Sequence, residues 1–471
     1  MLVRDTRASE RSGDSPPGFH LTLVAAGAAL GGFLFGYDSA VINGAITGIR
    51  EHFAVGAAET GVTVSSALLG AAAGSVAAGW GADRMGRLRV MRISAVLFAL
   101  SGVGSAIPVS IEVLTGWRIV GGVAIGLASA VAPGYIAEIA PPALRGRLTS
   151  FQQLAIVLGI ATSQLANYVI ATAAGGSSEG QLGSAQAWQW MLAVEAAPAV
   201  LYGLATLVLP ESPRYLIAAG REDHARAVLQ RLEGSSVDLS ARIADIRRVM
   251  QTDRKPRLRD LRNGALGLMP VVWVGMGASV LQQLFGINVI FYYSSVLWES
   301  VGIDESGSLL ISLSTSVINI VGTLIAMALV DKVGRKPLAV AGSVGMAIGL
   351  SVLAWSFSFL AEDGSRLPTG PAVAALIAAH FFVLCFAFSW GVVVWVLLSE
   401  MFPNRIRAIA LAVGVAAQWI ANWVVTVTFP VLSEWNLSAT YAGYAFFAVA
   451  SIPFVIFLVQ EGKDRTLESM G

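Results

Sequence analysis

Window after window of this chain runs for eighteen or more residues without a charge, and each is long enough to cross a bilayer as a helix. With 55% hydrophobic and only 13% charged residues, the chain lies outside the range of ordinary soluble proteins. Hydropathy divides it into twelve spans, at 21–45, 61–82, 90–109, 113–136, 148–173, 188–209, 265–298, 306–330, 337–360, 371–398, 405–430 and 439–459. Short connections alternate sides, apart from one long polar stretch at 211–263. The first twenty residues are polar, carry Pro16-Pro17 and lack the apolar core of a cleavable signal. They are read as a short tail.

Basic residues set the orientation. If both termini are cytoplasmic, 28 of the 31 Lys and Arg residues fall on the inner side, Arg50 and Arg366 fall outside, and Arg118 lies within the fourth span. This predicts a multi-pass protein of the cell (inner) membrane with both ends inside. A net charge of +1 gives no nucleic-acid-binding balance. Cys385 is the only cysteine, so no intramolecular disulfide can form. The four His residues and one Cys show no metal-ligand spacing, and no cofactor is expected.

The chain repeats itself. Gly79-Trp-Gly-Ala-Asp-Arg-Met-Gly-Arg-Leu-Arg89 joins spans two and three, and Asp331-Lys-Val-Gly-Arg-Lys336 joins spans eight and nine. Glu138 and Arg145-Gly-Arg147 follow span four, as Glu400 and Arg405-Ile-Arg407 follow span ten. Two six-span halves with matching inner loops place a ligand path between them. The expected organisation is a tail over 1–20, a six-helix bundle over 21–210, a helical linker over 211–264, a second six-helix bundle over 265–460 and a tail over 461–471. Asp83 or Asp331 can pair with arginines across the inner mouth; the arginines alone would also serve as positive-inside anchors. The middle segment opens with Pro210-Glu-Ser-Pro-Arg214 and continues amphipathically. It reads as two or three short surface helices that brace the inner gate or act as a passive linker.

Ser279 to Ser295 places Gln282, Gln283, Asn288, Tyr292 and Tyr293 inside an apolar run. Amides in hydrocarbon are costly unless partnered or facing water. On an ideal helix Gln283 and Asn288 stand about 140° apart, but Gly286 between them can break it. A discontinuous span lined by uncharged donors and acceptors suits a neutral polyhydroxylated ligand. The same side chains would also serve to tie spans together.

These motifs make the chain resemble the sugar porter family of the major facilitator superfamily over nearly its whole length. They are Gly32-Phe-Leu-Phe-Gly-Tyr-Asp38, Asp83-Arg-Met-Gly-Arg87, Arg118-Ile-Val-Gly-Gly122, Pro210-Glu-Ser-Pro-Arg214, Gln282-Gln-Leu-Phe-Gly-Ile-Asn288, Asp331-Lys-Val-Gly-Arg-Lys336 and Ala417-Gln-Trp-Ile-Ala-Asn422. The resemblance implies an all-α membrane protein, the major facilitator fold, with twelve transmembrane helices in two pseudo-symmetric six-helix bundles and short intracellular helices. Bacterial proton-coupled glucose, xylose and galactose carriers are the nearest in kind, and the mechanism they imply is alternating access.

The family's sugar contacts carry over to Phe35, Gln153, Gln282, Gln283, Asn288, Tyr292, Asn319, Gly391, Trp395, Gln418 and Trp419. Amides donate and accept as sugar hydroxyls do, and an indole offers an apolar face to a pyranose. For either tryptophan alone, packing or interfacial anchoring is the plainer role. The inner-gate network is expected to comprise Asp83, Arg87, Glu138, Arg147, Glu211, Arg214, Asp331, Arg335, Glu400 and Arg407. Two departures stand out. Ser389-Trp-Gly-Val-Val-Val-Trp395 lacks the proline that relatives often carry after the glycine, which puts the tenth-span break in doubt. The tail Gln460-Glu-Gly-Lys-Asp-Arg465 departs from the usual run.

Two charges are read within spans, Asp38 and Arg118, and mutual pairing is their natural solution. A structural salt bridge would account for them; the resemblance adds proton coupling, because proton-driven relatives carry Asp at this place. The expectation is a monosaccharide–proton symporter and not an enzyme. A proton-independent uniporter and a transporter-like sugar sensor are the alternatives. The sequence names no sugar. A chain rich in Ala, Gly and Val, with only four Lys, points to a GC-rich bacterial genome and resembles actinobacterial glucose carriers overall. D-glucose is therefore favoured over xylose and galactose. A monomer is expected, since each chain contains a complete pathway.

Overall fold

The computed structural model describes residues 17–459 except 142–143, 234–237, 253–257, 263–266, 361–365 and 404. The Gln460–Arg465 motif lies outside the described residues. Among the described residues eleven helical runs are long and apolar enough to cross a membrane, and the last of them divides in two to make twelve spans. Five in the first half are single helices: Pro17–Phe53, Ala57–Met85, Arg87–Ala106, Ile111–Ile139 and Arg145–Ala173. The sixth is jointed, as Ala187–Ala193 and Ala196–Val208. The seventh, Pro270–Tyr292, is broken after Leu284 and followed by a short rim helix, Ser294–Glu299. Spans eight and nine are Glu305–Val333 and Arg335–Phe357, and the tenth is split into Thr369–Phe388 and Trp390–Met401. Spans eleven and twelve form one run, Arg407–Leu458, interrupted at Asn436, where φ is −165° and ψ 102°. A two-stranded ribbon pairs Gln181–Leu182 with Ala185–Gln186 between spans five and six.

Most limits lie close to those predicted. The first span, however, continues to Phe53, which leaves residues 54–56 as the whole connection to the second. Arg50 and His52 occupy its last turn, where cations complement the helix dipole and reach the interface.

Glycines set how closely the spans approach. Spans two and four are interlocked. A Cβ on Gly122 would stand 2.0 Å from the Ala67 carbonyl oxygen, and one on Gly70 2.2 Å from that of Ile119. Gly126 and Gly74 repeat the arrangement one turn along. Gly36 and Gly159 do the same between spans one and five, where a Cβ on either would stand 2.0 Å from a carbonyl oxygen of the other helix. In lipid, such backbone approach supplies the packing that hydrophobic burial does not.

The linker forms three helices, Pro213–Ala218, Glu222–Glu233 and Leu239–Thr252, and a 3-10 turn at Leu258–Leu261. Leu216, Ile217, Ala225, Leu229 and Ile243 give it a small core of its own. Glu211 fixes it to the first half by accepting from the Arg87 and Leu88 amides at 3.1 and 3.3 Å, where the third span begins. A carboxylate there satisfies helix-terminal N–H groups and favours the dipole.

Two larger cores show how the halves meet. One contains Leu34, Ala78, Met91, Ile125 and Tyr202 of the first half with Leu232 of the linker, and Trp419 of the second half packs against it. The other joins Val41, Ile42, Ala45, Ile46 and Trp188 of the first half to the bulk of the second. The halves are thus packed together at the face away from the linker.

Replacing Gly122 or Gly126 by Val should cost about 1–3 kcal/mol or more through backbone overpacking. Gly116→Ala, where a Cβ meets nothing within 4 Å, should change little. Thermal unfolding of the detergent-purified protein checks both.

Candidate functional site

The seventh span bends where its polar residues require it. Gly286 takes the left-handed conformation, φ 76° and ψ 21°, which ends one helix and starts the next. Asn288 Nδ2 then donates to Gln283 Oε1 at 2.6 Å, although an unbroken helix would hold the two apart. Gln283 Nε2 donates to Gln282 Oε1 at 3.2 Å, and Gln418 Nε2 of the eleventh span donates to the same oxygen at 2.8 Å. Gln282 Nε2 in turn donates to the Trp390 carbonyl oxygen at 2.8 Å. Four amides therefore form one chain, and Gln418 Oε1 remains without a partner.

The tenth span breaks at Ser389 without a proline. Its φ of −125° and ψ of −97° interrupt the helix, and its hydroxyl donates to the Cys385 carbonyl oxygen. Trp390, absent from the predicted set, is the tryptophan this break buries. Its Nε1 donates to Ser343 Oγ at 2.9 Å, and Phe285 packs edge-on against its ring. Trp395 is 43% exposed. Gly391 begins the same segment, with Phe386 close by.

Across the halves, Phe35 of the first span meets Trp419 of the eleventh, ring centroids 6.0 Å apart. The Tyr292 hydroxyl lies against Ser39 and Asn422. Asn319 is buried on the eighth span. Gln153 is half-buried near the start of the fifth span. The amide of that span that reaches the seventh is Gln164, about 16 Å further along the helix. Gln164 Nε2 donates to the Phe291 carbonyl oxygen at 3.3 Å and its Oε1 accepts from Asn43.

Asp38 and Arg118 are paired. Arg118 Nη1 donates to Asp38 Oδ1 at 2.9 Å, with the two residues 0% and 2% exposed. Gly121 makes room for them, since a Cβ there would stand 3.2 Å from Asp38 Oδ1. A third charge completes the cluster: Glu195, at the joint of the sixth span and 1% exposed, approaches the Asp38 carboxyl. Glu195 is the charged residue that the reading of Asp38 and Arg118 as the intramembrane charges left out. The sequence carried the signal, a lone glutamate within the 188–209 span. Asp38 Oδ2 and Glu195 Oε1 are both buried without a hydrogen-bond partner. Two carboxyls thus share the neighbourhood of one guanidinium.

The inner loops form matching clamps. Arg87 Nη2 donates to Glu138 at 2.7 Å and its Nη1 to the Ala82 carbonyl oxygen at 3.1 Å. Arg335 Nη2 donates to Glu400 at 2.8 Å and its Nη1 to the Val330 carbonyl oxygen at 3.1 Å. Asp83 stands 3.9 Å from Arg87. Arg87 and Arg335 thus each pair with a glutamate of their own half. Arg407 Nε donates to the Phe402 carbonyl oxygen, and Arg214 lines a cavity with Glu138, Arg242 and Asp245. The side chains of Arg147 and Asp331 lie outside the described residues. No cluster of three metal-ligating side chains occurs among the described residues.

The family described as "Sugar (and other) transporter" matches residues 24–471. A glucose transport protein of Synechocystis is 51% identical over 452 residues, covering 95% of this chain and 96% of its own. The D-xylose-proton symporter of Escherichia coli is 38% identical over 485 residues, covering 96% and 94%. The fold superposes on a partially occluded inward-open structure of the E. coli xylose transporter XylE. The TM-score is 0.82 at 35% identity, over 95% of this chain and 100% of that one.

Removing one partner of the buried cluster leaves an uncompensated charge. Asp38→Ala and Arg118→Ala should each lower stability by about 3–5 kcal/mol, and Asp38→Ala/Arg118→Met should recover most of that loss. Thermal unfolding of the three variants checks this.

Proposed function

The chain belongs to the sugar transporter family, as a membrane carrier and not an enzyme, and on that premise we propose that it is a proton-coupled monosaccharide symporter with D-glucose as favoured substrate. The observation that carries the coupling is the buried cluster of Asp38, Glu195 and Arg118. Asp38 presents one oxygen to Arg118, its other oxygen is buried without a partner, and Glu195 is close by. Protonation of the pair weakens its hold on Arg118, and deprotonation restores it. That change falls on the first, fourth and sixth spans together, so it can bias how the halves pack.

The sugar is assigned to the amide chain of Gln282, Gln283, Asn288 and Gln418, with Phe35 and Trp419 as the apolar faces. Each amide offers a donor and an acceptor, which matches the alternation of hydroxyl groups around a pyranose. Phe35 and Trp419 come from opposite halves, so a ligand between them senses their relative position. The 51% identity to a glucose transport protein supports glucose, and the likeness to a D-xylose-proton symporter supports coupling. With the basic loops on the cytoplasmic side, the packed face is the outer one and the conformation is inward-facing.

Uptake of labelled D-glucose into proteoliposomes, with and without an inward proton gradient, tests this reading. Gradient-driven accumulation is expected, with unlabelled D-glucose the strongest competitor. Asp38→Asn should abolish accumulation and spare exchange of sugar across the membrane; accumulation by that variant would overturn the proton assignment.

Gln282→Ala removes the acceptor shared by Gln283 and Gln418 and the donor to Trp390. It should weaken glucose binding by roughly 1–3 kcal/mol, measured by calorimetry.

A further inference from the structure

Three side chains of the first span, one helical turn apart, face the far end of the seventh span and its rim helix. Ser39 lies against Tyr292. Asn43 Oδ1 accepts from the Ser295 amide at 2.9 Å, and Asn43 Nδ2 donates to Ser312 Oγ at 3.2 Å. Thr47 Oγ1 donates to Glu299 Oε2 at 2.9 Å. The spacing 39, 43, 47 keeps the three on one helix face. The ladder joins the two halves, and its last rung is the one that carries a carboxyl.

Glu299 stands in unusual surroundings for a carboxylate. Its Oε1 is shielded from solvent and has no hydrogen-bond partner. Arg50, one turn beyond Thr47, pairs with Glu434 at 3.2 Å and so divides its charge. Glu305, which begins the eighth span, accepts from the Ser178 amide at 2.7 Å and adds negative charge, as does Glu179 in the connection between spans five and six.

We propose that Glu299 is a second proton site, distinct from the Asp38 cluster, and that it binds its proton when the outer seam closes. It is a sensor and not a coupling site. Glu299 sits on the outer side of the seam, so its proton comes from and returns to the outer solution. Transport stoichiometry is unchanged, while outer acidity favours the closed seam. The inference rests on the alternating-access reading for the existence of an open state.

The sign follows from the surroundings. Burial, reinforced by Glu305 and Glu179 and opposed by the Thr47 bond and Arg50, raises the closed-state carboxyl to about 7. Opening the seam hydrates it and returns it toward its ordinary value of 4.5. The closed state therefore binds the proton more tightly, and it gains population as pH falls through 7 toward 4.5. Between pH 8 and pH 6 the closed-to-open ratio should rise about tenfold.

The test uses the full chain in lipid nanodiscs, with Asp38→Asn and Glu195→Gln to remove both carboxyls of the other cluster and Cys385→Ser to remove the native thiol. Spin labels at Val109→Cys and Phe359→Cys report the distance between the halves at the outer face, from pH 5 to pH 9. The expected result is a shift toward the short distance on acidification, lost in Glu299→Gln, which stays short throughout. Thr47→Val removes a bond that favours the ionised form and should move the midpoint to higher pH. A distance independent of pH with Glu299 present, or the same pH response in Glu299→Gln, would overturn the proposal. Failure of proton-driven uptake would leave this measurement untouched, because Asp38 is already replaced.

Discussion

A polar group carried into hydrocarbon has to find its partner within the protein, because lipid offers none. The arrangement of this chain follows from that constraint. Its amides are chained to one another, its buried guanidinium is paired with a carboxylate, and its backbones touch where glycine permits. Such groups fix the relative rotation of the helices that bear them more tightly than apolar contacts do. The costly residues are also the ones that specify the packing.

The breaks in spans seven and ten serve the same end. Each frees backbone groups and exposes a turn of side chains that a continuous helix would distribute around its axis. At Gly286 the gain is the Asn288–Gln283 bond. At Ser389 it is the burial of Trp390 beneath Gln282. The two breaks meet, because Gln282 on one span donates to the first residue after the break on the other. A ligand that competes for Gln282 therefore acts on both discontinuities at once.

The spans and the duplicated loops were legible in the sequence, because uncharged windows and a repeated Gly-Arg pattern are local signals. The Gly286 break was legible for the same reason. Other features depended on contacts that no local pattern encodes. Glu195 sits in a window apolar enough to read as an ordinary span, and only its approach to Asp38 gives it meaning. Gln153 and Gln164 lie on one helix, and tertiary packing decides that Gln164 is the one to reach the seventh span. The tenth-span break was doubted for want of a proline, yet Ser389 provides it through a hydroxyl bond to the backbone. The extension of the first span to Phe53 was hidden by Arg50, Glu51 and His52, polar residues that end a hydropathy window but not a helix.

Gly86 and Gly334 adopt nearly the same backbone conformation, φ 95° and 101° with ψ 163° in both, and each precedes an arginine that clamps a glutamate of its own half. The consequence concerns how the protein is made. The first clamp needs nothing beyond Glu138, and the linker adds Glu211 soon after. The first six helices can thus lock in the bilayer while the ribosome is still producing the rest. The bonds from Asn43 and Thr47 cannot form until Ser295 and Glu299 have been synthesised and inserted. Assembly therefore ends at the seam between the halves, and on the alternating-access reading proposed above the contacts made last during biogenesis are those that open in the working cycle.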